Sequence, residues 1–282
     1  MQLKNDKIAI EVATLGAELQ SLKNVETGQE FLWQADPEVW PRYAPNLFPL
    51  VGRLRDDEYI IGEETYSLGQ HGFAREKEFD VIKWNPSEVT FSLKSSLETY
   101  PSYPFDFELR IGYQLKGNKV LQSFEVINTG DEDLPFSFGA HPAFIADPIE
   151  EYRLEFSDEE TEESDTVING IRSGFMRSCF DGNSIHLSKS IFDKDALIFK
   201  GLKSQTITLK HNDGREVLSM TLNGFPYLGI WAKPQANYVC IEPWCGIADK
   251  HNHDKNLFTK EGIVVLPEGE NYRREIELTL KS

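Results

Sequence analysis

Long apolar runs are missing: no stretch approaches the ~18 uninterrupted apolar residues of a membrane helix. Cysteine is scarce. Cys179, Cys240 and Cys245 are too few, and of the wrong parity, for a disulfide scaffold. The C-x4-C spacing of the last two lacks the second pair of a structural zinc site, so buried thiols and no metal are expected. Helical stripes are nearly absent, and Ser188 to Lys194 holds material for a turn or two at most. Positive charge is in deficit, with 29 Lys and Arg against 46 Asp and Glu, a net −17. That field repels nucleic acid and anionic membrane, so neither is expected as a partner. Met1-Gln2-Leu3-Lys4-Asn5-Asp6 turns polar at once, which argues against a secretory leader and for a cytoplasmic address.

What is present has a period of two. Phe107, Leu109, Ile111, Tyr113 and Leu115 alternate with Glu108, Arg110, Gly112, Gln114 and Lys116, the pattern of a half-buried strand. Gly117-Asn118 supplies a tight turn, and Phe124 and Val126 continue on the return strand. The same grammar recurs at Ile8, Ile10 and Val12, around Asn212-Asp213-Gly214, and at Ile276, Leu278 and Leu280. Asp147 to Asp165 holds ten acidic residues against one arginine, read as a solvated loop or exposed strand edge. A chain of 282 residues buries roughly 75% of its unfolded surface, enough for a large core without staples. With no composition shift and no repeat, residues 1–282 are expected to form one all-β domain, a sandwich or barrel.

Four segments break the pattern. In Phe48-Pro49-Leu50-Val51-Gly52-Arg53-Leu54 an arginine sits among apolar residues, where it must meet a carboxylate, carbonyls or a ligand. In Gly69-Gln70-His71-Gly72-Phe73-Ala74-Arg75 glycines on both sides let a backbone approach closely and aim the imidazole into a cavity. In Phe138-Gly139-Ala140-His141-Pro142-Ala143-Phe144 small residues and a proline pin a second histidine. In Tyr238-Val239-Cys240-Ile241-Glu242-Pro243-Trp244-Cys245-Gly246 a carboxylate ends an apolar strand, where desolvation raises its pKa toward that of a general base. Each segment alone also has a structural reading: a satisfied core histidine, or a glutamate paired with Arg53.

Together they form an acid–base set without a nucleophile. There is no G-x-S-x-G elbow, no P-loop, and no G-x-G-x-x-G following a strand. The set fits proton transfer on a neutral polar substrate better than acyl, phosphoryl or hydride chemistry. Trp33, Trp40, Trp231 and Trp244 offer flat faces for a sugar ring, or simply pack the core. His251 and His253, with Asp249 and Asp254, are read as a polar loop rather than a metal site.

Taken in order, G-R-L, H-G-F-A-R, A-H-P-A-F and E-P-W-x-G resemble the aldose 1-epimerase (galactose mutarotase) family, and its bacterial branch encoded with lactose-utilisation genes in particular. The resemblance runs from Leu15-Gly16-Ala17-Glu18-Leu19 to Leu266-Pro267-Glu268-Gly269. It implies a large antiparallel β-sandwich and a cofactor-free mutarotase for a free aldohexose such as galactose or glucose. It further implies Glu242 as general base, His141 as general acid, and His71 and Arg53 as residues holding the sugar. Asp195 matches the substrate-binding aspartate, with Asp193 two residues away as the competing match. A hexose phosphate held by Arg53, Arg55 or Arg75 is the alternative substrate. A non-catalytic sugar-binding domain, or an accessory domain of a polysaccharide lyase or glycosidase, is the alternative in another class.

Overall fold

Residues that alternate in polarity bury one face of a strand, and short turns between them favour antiparallel pairing. In the computed structural model, which describes residues 1–281, the chain folds into strands and four single-turn 3-10 segments. No helix among the described residues is long and apolar enough to cross a membrane. The strands build the expected large antiparallel β-sandwich.

One sheet has nine strands. Their spatial order is Ser184–His186, Tyr152–Phe156, Thr206–His211, Glu216–Thr221, Asn271–Leu280, Lys119–Asn128, Phe107–Lys116, Glu88–Lys94 and Asp80–Asn85. The hairpin read from the sequence lies near its middle, registered from Lys116 opposite Lys119 to Phe107 opposite Asn128, with Gly117 at φ 60° in the turn. Phe107, Leu109, Ile111, Tyr113 and Leu115 are all buried. Glu108 is buried too, against strict alternation, because two Arg110 nitrogens at 2.9 Å and the Ser92 hydroxyl at 2.8 Å satisfy its carboxylate. The acidic stretch is not simply the solvated loop or exposed edge expected: its Tyr152–Phe156 strand is an interior member of this sheet, and Glu155 pairs with Lys210. Ser188 to Lys194 forms turns rather than helix.

The second sheet runs Ile171–Arg177, Ser164–Ile168, Leu197–Lys200, Tyr227–Trp231, Tyr238–Cys245, Phe138–Ala140 and Asn46–Leu47, with Ala143–Ile145 also pairing to the Tyr238 end. One apolar cluster draws on both sheets, with Phe91, Ile111 and Phe124 from the first and Leu197, Phe199 and Ile230 from the second. Full burial of each such side chain stabilises by about 1.5–3 kcal/mol. Intervening residues of the second sheet, Ile198, Tyr227 and Trp244, join a smaller cluster with Leu47, Val51, Val167 and Ile247. The alternation therefore gives this sheet two apolar faces, the second of which carries the site. It also explains why Tyr238–Cys245 is buried along its whole length and reads as a nearly continuous apolar run.

Candidate active site

Glu242 and Trp244 leave the buried strand on the same side, and both line a cavity of about 330 Å³, within the size range of small-molecule sites. The other sequence-predicted groups that line it are His71, His141 and Asp195, which come from distant parts of the chain. Trp40, Trp231 and Arg75 complete its functional lining, with Val167, Gly170 and Ile198 among its apolar walls.

Close backbone approach delivers His71. Phe48 bridges to Gly72, and a Cβ at Gly72 would stand 2.3 Å from the Phe48 carbonyl oxygen. A Cβ at Gly52 would stand 2.5 Å from that of Ala248. Both glycines have positive φ, 68° and 75°, so side chains are excluded twice over. His71 itself sits at φ 67°, and its backbone N–H donates to the Gly52 carbonyl at 2.8 Å. The Gly52 N–H donates back to His71 Nδ1 at 3.1 Å, which makes Nδ1 the acceptor and leaves the ring proton on Nε2, beside the Gln70 side-chain amide at 3.3 Å. Asp195 is likewise non-glycine at φ 68°, its carboxylate accepting from the Ala196 N–H at 2.8 Å. Two left-handed residues, each costing about 1–3 kcal/mol, thus face one cavity, a recurrent mark of functional sites. Asp193, the competing aspartate, is exposed and outside the lining.

His141 is anchored by its N–H to the Pro45 carbonyl at 3.0 Å and enclosed by aromatic rings. Trp40 stacks on it at 5.1 Å between centroids, and Trp231 and His71 meet it edge-on at 6.0 and 5.7 Å. Its Nε2 lies 3.2 Å from Glu242 Oε2, off the line of a hydrogen bond, so that oxygen has no hydrogen-bond partner. Burial governs the electrostatics. Desolvation pushes the Glu242 carboxyl well above its usual range, and repulsion from Asp195 adds to it. Desolvation lowers His141 to about 3 and carries His71 well below its usual value. Both shifts run toward the neutral forms, carboxyl beside imidazole, and away from the ion pair of carboxylate and imidazolium.

The arginines divide differently from expectation. Arg53, assigned to the sugar by resemblance, lies outside the cavity lining. Its Nε and Nη2 are held by Asp57 at 2.7 and 2.6 Å, and Nη1 donates to the Asn169 carbonyl at 3.1 Å. A carboxylate four residues along satisfies its fork, and the arm braces the Asn169-Gly170 turn that forms one wall. Arg55 is also engaged elsewhere, with Asp56 and the His253 carbonyl. Arg75 is the cation that faces the cavity: one terminal nitrogen donates to the Gln70 carbonyl at 2.9 Å, and its buried Nε makes no hydrogen bond, with the Glu76 carboxylate 3.6 Å away. Sequence reasoning weighed Arg75 only as part of an anion cluster, although its place four residues after His71 was a usable signal. Trp33 supports rather than lines: its indole N–H donates to the Trp40 carbonyl at 2.9 Å. The opposite wall, Ile247 to Asp249, is tied down by Lys260, which donates to the Ile247 carbonyl and to Asp249 at 2.8 Å, and by Arg172 Nε on the Ala248 carbonyl at 2.9 Å.

A sequence model of the aldose 1-epimerase family matches residues 1–279. The chain is 34% identical to the LacX protein of Lactococcus lactis subsp. lactis, over 95% of each. It is 36% identical to a galactose mutarotase-related enzyme from Lactobacillus acidophilus, covering 100% of this chain and 97% of that one, with a TM-score of 0.95. A galactose mutarotase-like protein from Lactobacillus casei, 29% identical, superposes with a TM-score of 0.94 over 100% of this chain and 99% of that one.

Proposed function

The chain belongs to the aldose 1-epimerase family, an isomerase class, and from that premise we propose that it mutarotates a free aldohexose such as galactose or glucose. One observation carries the assignment of the chemistry: Glu242 and His141 stand 3.2 Å apart in the wall of one cavity. Mutarotation removes the proton of the anomeric hydroxyl and protonates the ring oxygen. Both oxygens are bonded to the same carbon, so the base and the acid must be immediate neighbours. The C1–O5 bond opens, C1–C2 rotates, and the ring hydroxyl attacks the other face of the carbonyl while the two groups exchange roles. No step calls for a metal or an organic cofactor.

The pair needs one proton between its two members. In the free protein burial biases that proton toward Glu242. A bound sugar brings hydroxyl donors to the unpartnered Oε2, which favours carboxylate and moves the proton across to His141. Glu242 then acts as base toward O1 and His141 as acid toward O5, each term contributing roughly 10²–10⁴. His71 Nε2–H and Arg75 donate to sugar hydroxyls, Asp195 accepts from them, and Trp40, Trp231 and Trp244 give flat apolar surface.

A phosphorylated aldose is the second reading, favoured by the Arg75 guanidinium that lines the cavity and has no hydrogen bond at Nε. It is the weaker one, because Arg53 and Arg55 are already engaged and a single guanidinium remains for the phosphate. The test compares kcat/KM for galactose and galactose 6-phosphate from about 0.05 to 0.5 M salt, either side of the ~10 Å screening length at 0.1 M. The free-sugar reading expects efficient, salt-insensitive turnover of galactose that survives Arg75→Lys. Efficient turnover of the phosphate alone, weakening with salt and lost in Arg75→Ala, would replace it.

A further inference from the structure

Acid–base chemistry leaves one buried group beside this wall without a task. Cys240 precedes Glu242 by two residues on the Tyr238–Cys245 strand, so both side chains leave the same face. His141 reaches that face from the turn after Phe138–Ala140. One donor atom each from His141, Cys240 and Glu242 lies within 4.8 Å of the other two, and all three side chains are buried. Glu242 Oε2 is unpartnered although its residue is 1% exposed. Imidazole, thiolate and carboxylate together are a donor set suited to a borderline-soft divalent ion in tetrahedral coordination with one open position. Bonds of ~2.0–2.3 Å hold tetrahedral donors roughly 3.3–3.8 Å apart. The His141–Glu242 separation of 3.2 Å is already close to that, leaving a small closure for the thiol.

We infer that the cavity wall binds Zn²⁺ or Cd²⁺ through His141, Cys240 and Glu242, and that the bound ion shuts off the isomerase by occupying its acid and its base. Binding releases the Cys240 thiol proton and the Glu242 carboxyl proton to solvent, and His141 ligates as neutral imidazole. Two anionic ligands then neutralise the dication, which offsets its transfer into a buried site. The fourth position faces the cavity and takes water. Mg²⁺ and Ca²⁺ are rejected, because they require six or more oxygen ligands. Inhibition rests on the mutarotase reading; binding does not.

The test uses the full chain, stripped with a chelator. Cd²⁺ titration followed by the ultraviolet thiolate-to-cadmium charge-transfer band reports the Cys240 bond, and Zn²⁺ inhibition of galactose mutarotation reports the catalytic consequence. The expected result is a band saturating at one equivalent, inhibition competitive with sugar and reversed by EDTA, and no effect of Mg²⁺. Cys240→Ala should keep the basal rate, lose the band and weaken Zn²⁺ inhibition by at least about tenfold, since loss of even an outer-shell partner costs 10–100-fold. Cys240→Ser, which also lacks the thiolate, serves if the alanine variant folds poorly. Cys179→Ala and Cys245→Ala should retain the band. A band absent from the parent, or persisting in the Cys240 variants, overturns the site while leaving the mutarotase reading standing. A band that depends on Cys240 in a protein without mutarotase activity upholds the site and removes that reading instead.

Discussion

Replacing Glu242 by Gln separates the proposed chemistry from the fold. The residue is 1% exposed, so an amide of nearly the same shape must occupy a packed site. Had Glu242 been one half of a buried ion pair in the free protein, removing its charge would leave an uncompensated His141 cation, at about 3–5 kcal/mol. Burial instead biases the pair toward neutral carboxyl and neutral imidazole. The Glu242→Gln substitution therefore exchanges a neutral carboxyl for a neutral amide, and stability should change by less than about 1 kcal/mol. Catalysis should respond very differently. The amide cannot accept the anomeric proton, and one acid–base term of roughly 10²–10⁴ is lost, equivalent to about 2.7–5.4 kcal/mol of barrier. KM should stay within a few fold, because His71, Asp195, Arg75 and the tryptophans still line the cavity. Polarimetry above the spontaneous rate measures kcat, and thermal unfolding measures stability on the same preparation. A folded variant keeping more than about a tenth of kcat refutes Glu242 as the base. A large loss of stability refutes the neutral pair.

The pH profile of kcat/KM should be bell-shaped and broad, since the pair works with one proton. Its acid limb marks a second proton going onto His141 and lies well below that residue's ordinary 6.5, whereas its alkaline limb marks loss of the last proton from Glu242 and lies well above the ordinary 4.5; a narrow bell centred between those two ordinary values would contradict the burial argument. His141→Asn should depress kcat strongly, while His71→Asn, which loses only the Nε2–H donor, should chiefly raise KM in steady-state assays; the opposite pattern would exchange their roles. Gly52→Ala should cost about 2–4 kcal/mol in chemical denaturation, combining a left-handed backbone with overpacking against Ala248, and an unchanged midpoint would show that the wall yields.

Periodicity of two and the turn dipeptides are local properties, and that locality is why the sequence alone determined so much of this protein. A strand such as Phe107–Lys116 follows from which side chains can face a core, whatever lies across from it. The segments carrying His71, His141 and Glu242 stood out because glycine, proline and an isolated charge are conspicuous among strand residues. Tertiary structure decided what depends on competition among distant partners. Arg53 reads as a site cation until Asp57 is seen to take its fork, and Arg75 emerges as the one that faces the cavity. The motif favours Asp195 with Asp193 two residues away as a competitor, and only packing shows which of them lines the cavity. The protonation of the Glu242–His141 pair was out of reach for the same reason: a pKa records how completely water is excluded, and residues 40, 141, 231 and 242 exclude it together only after folding.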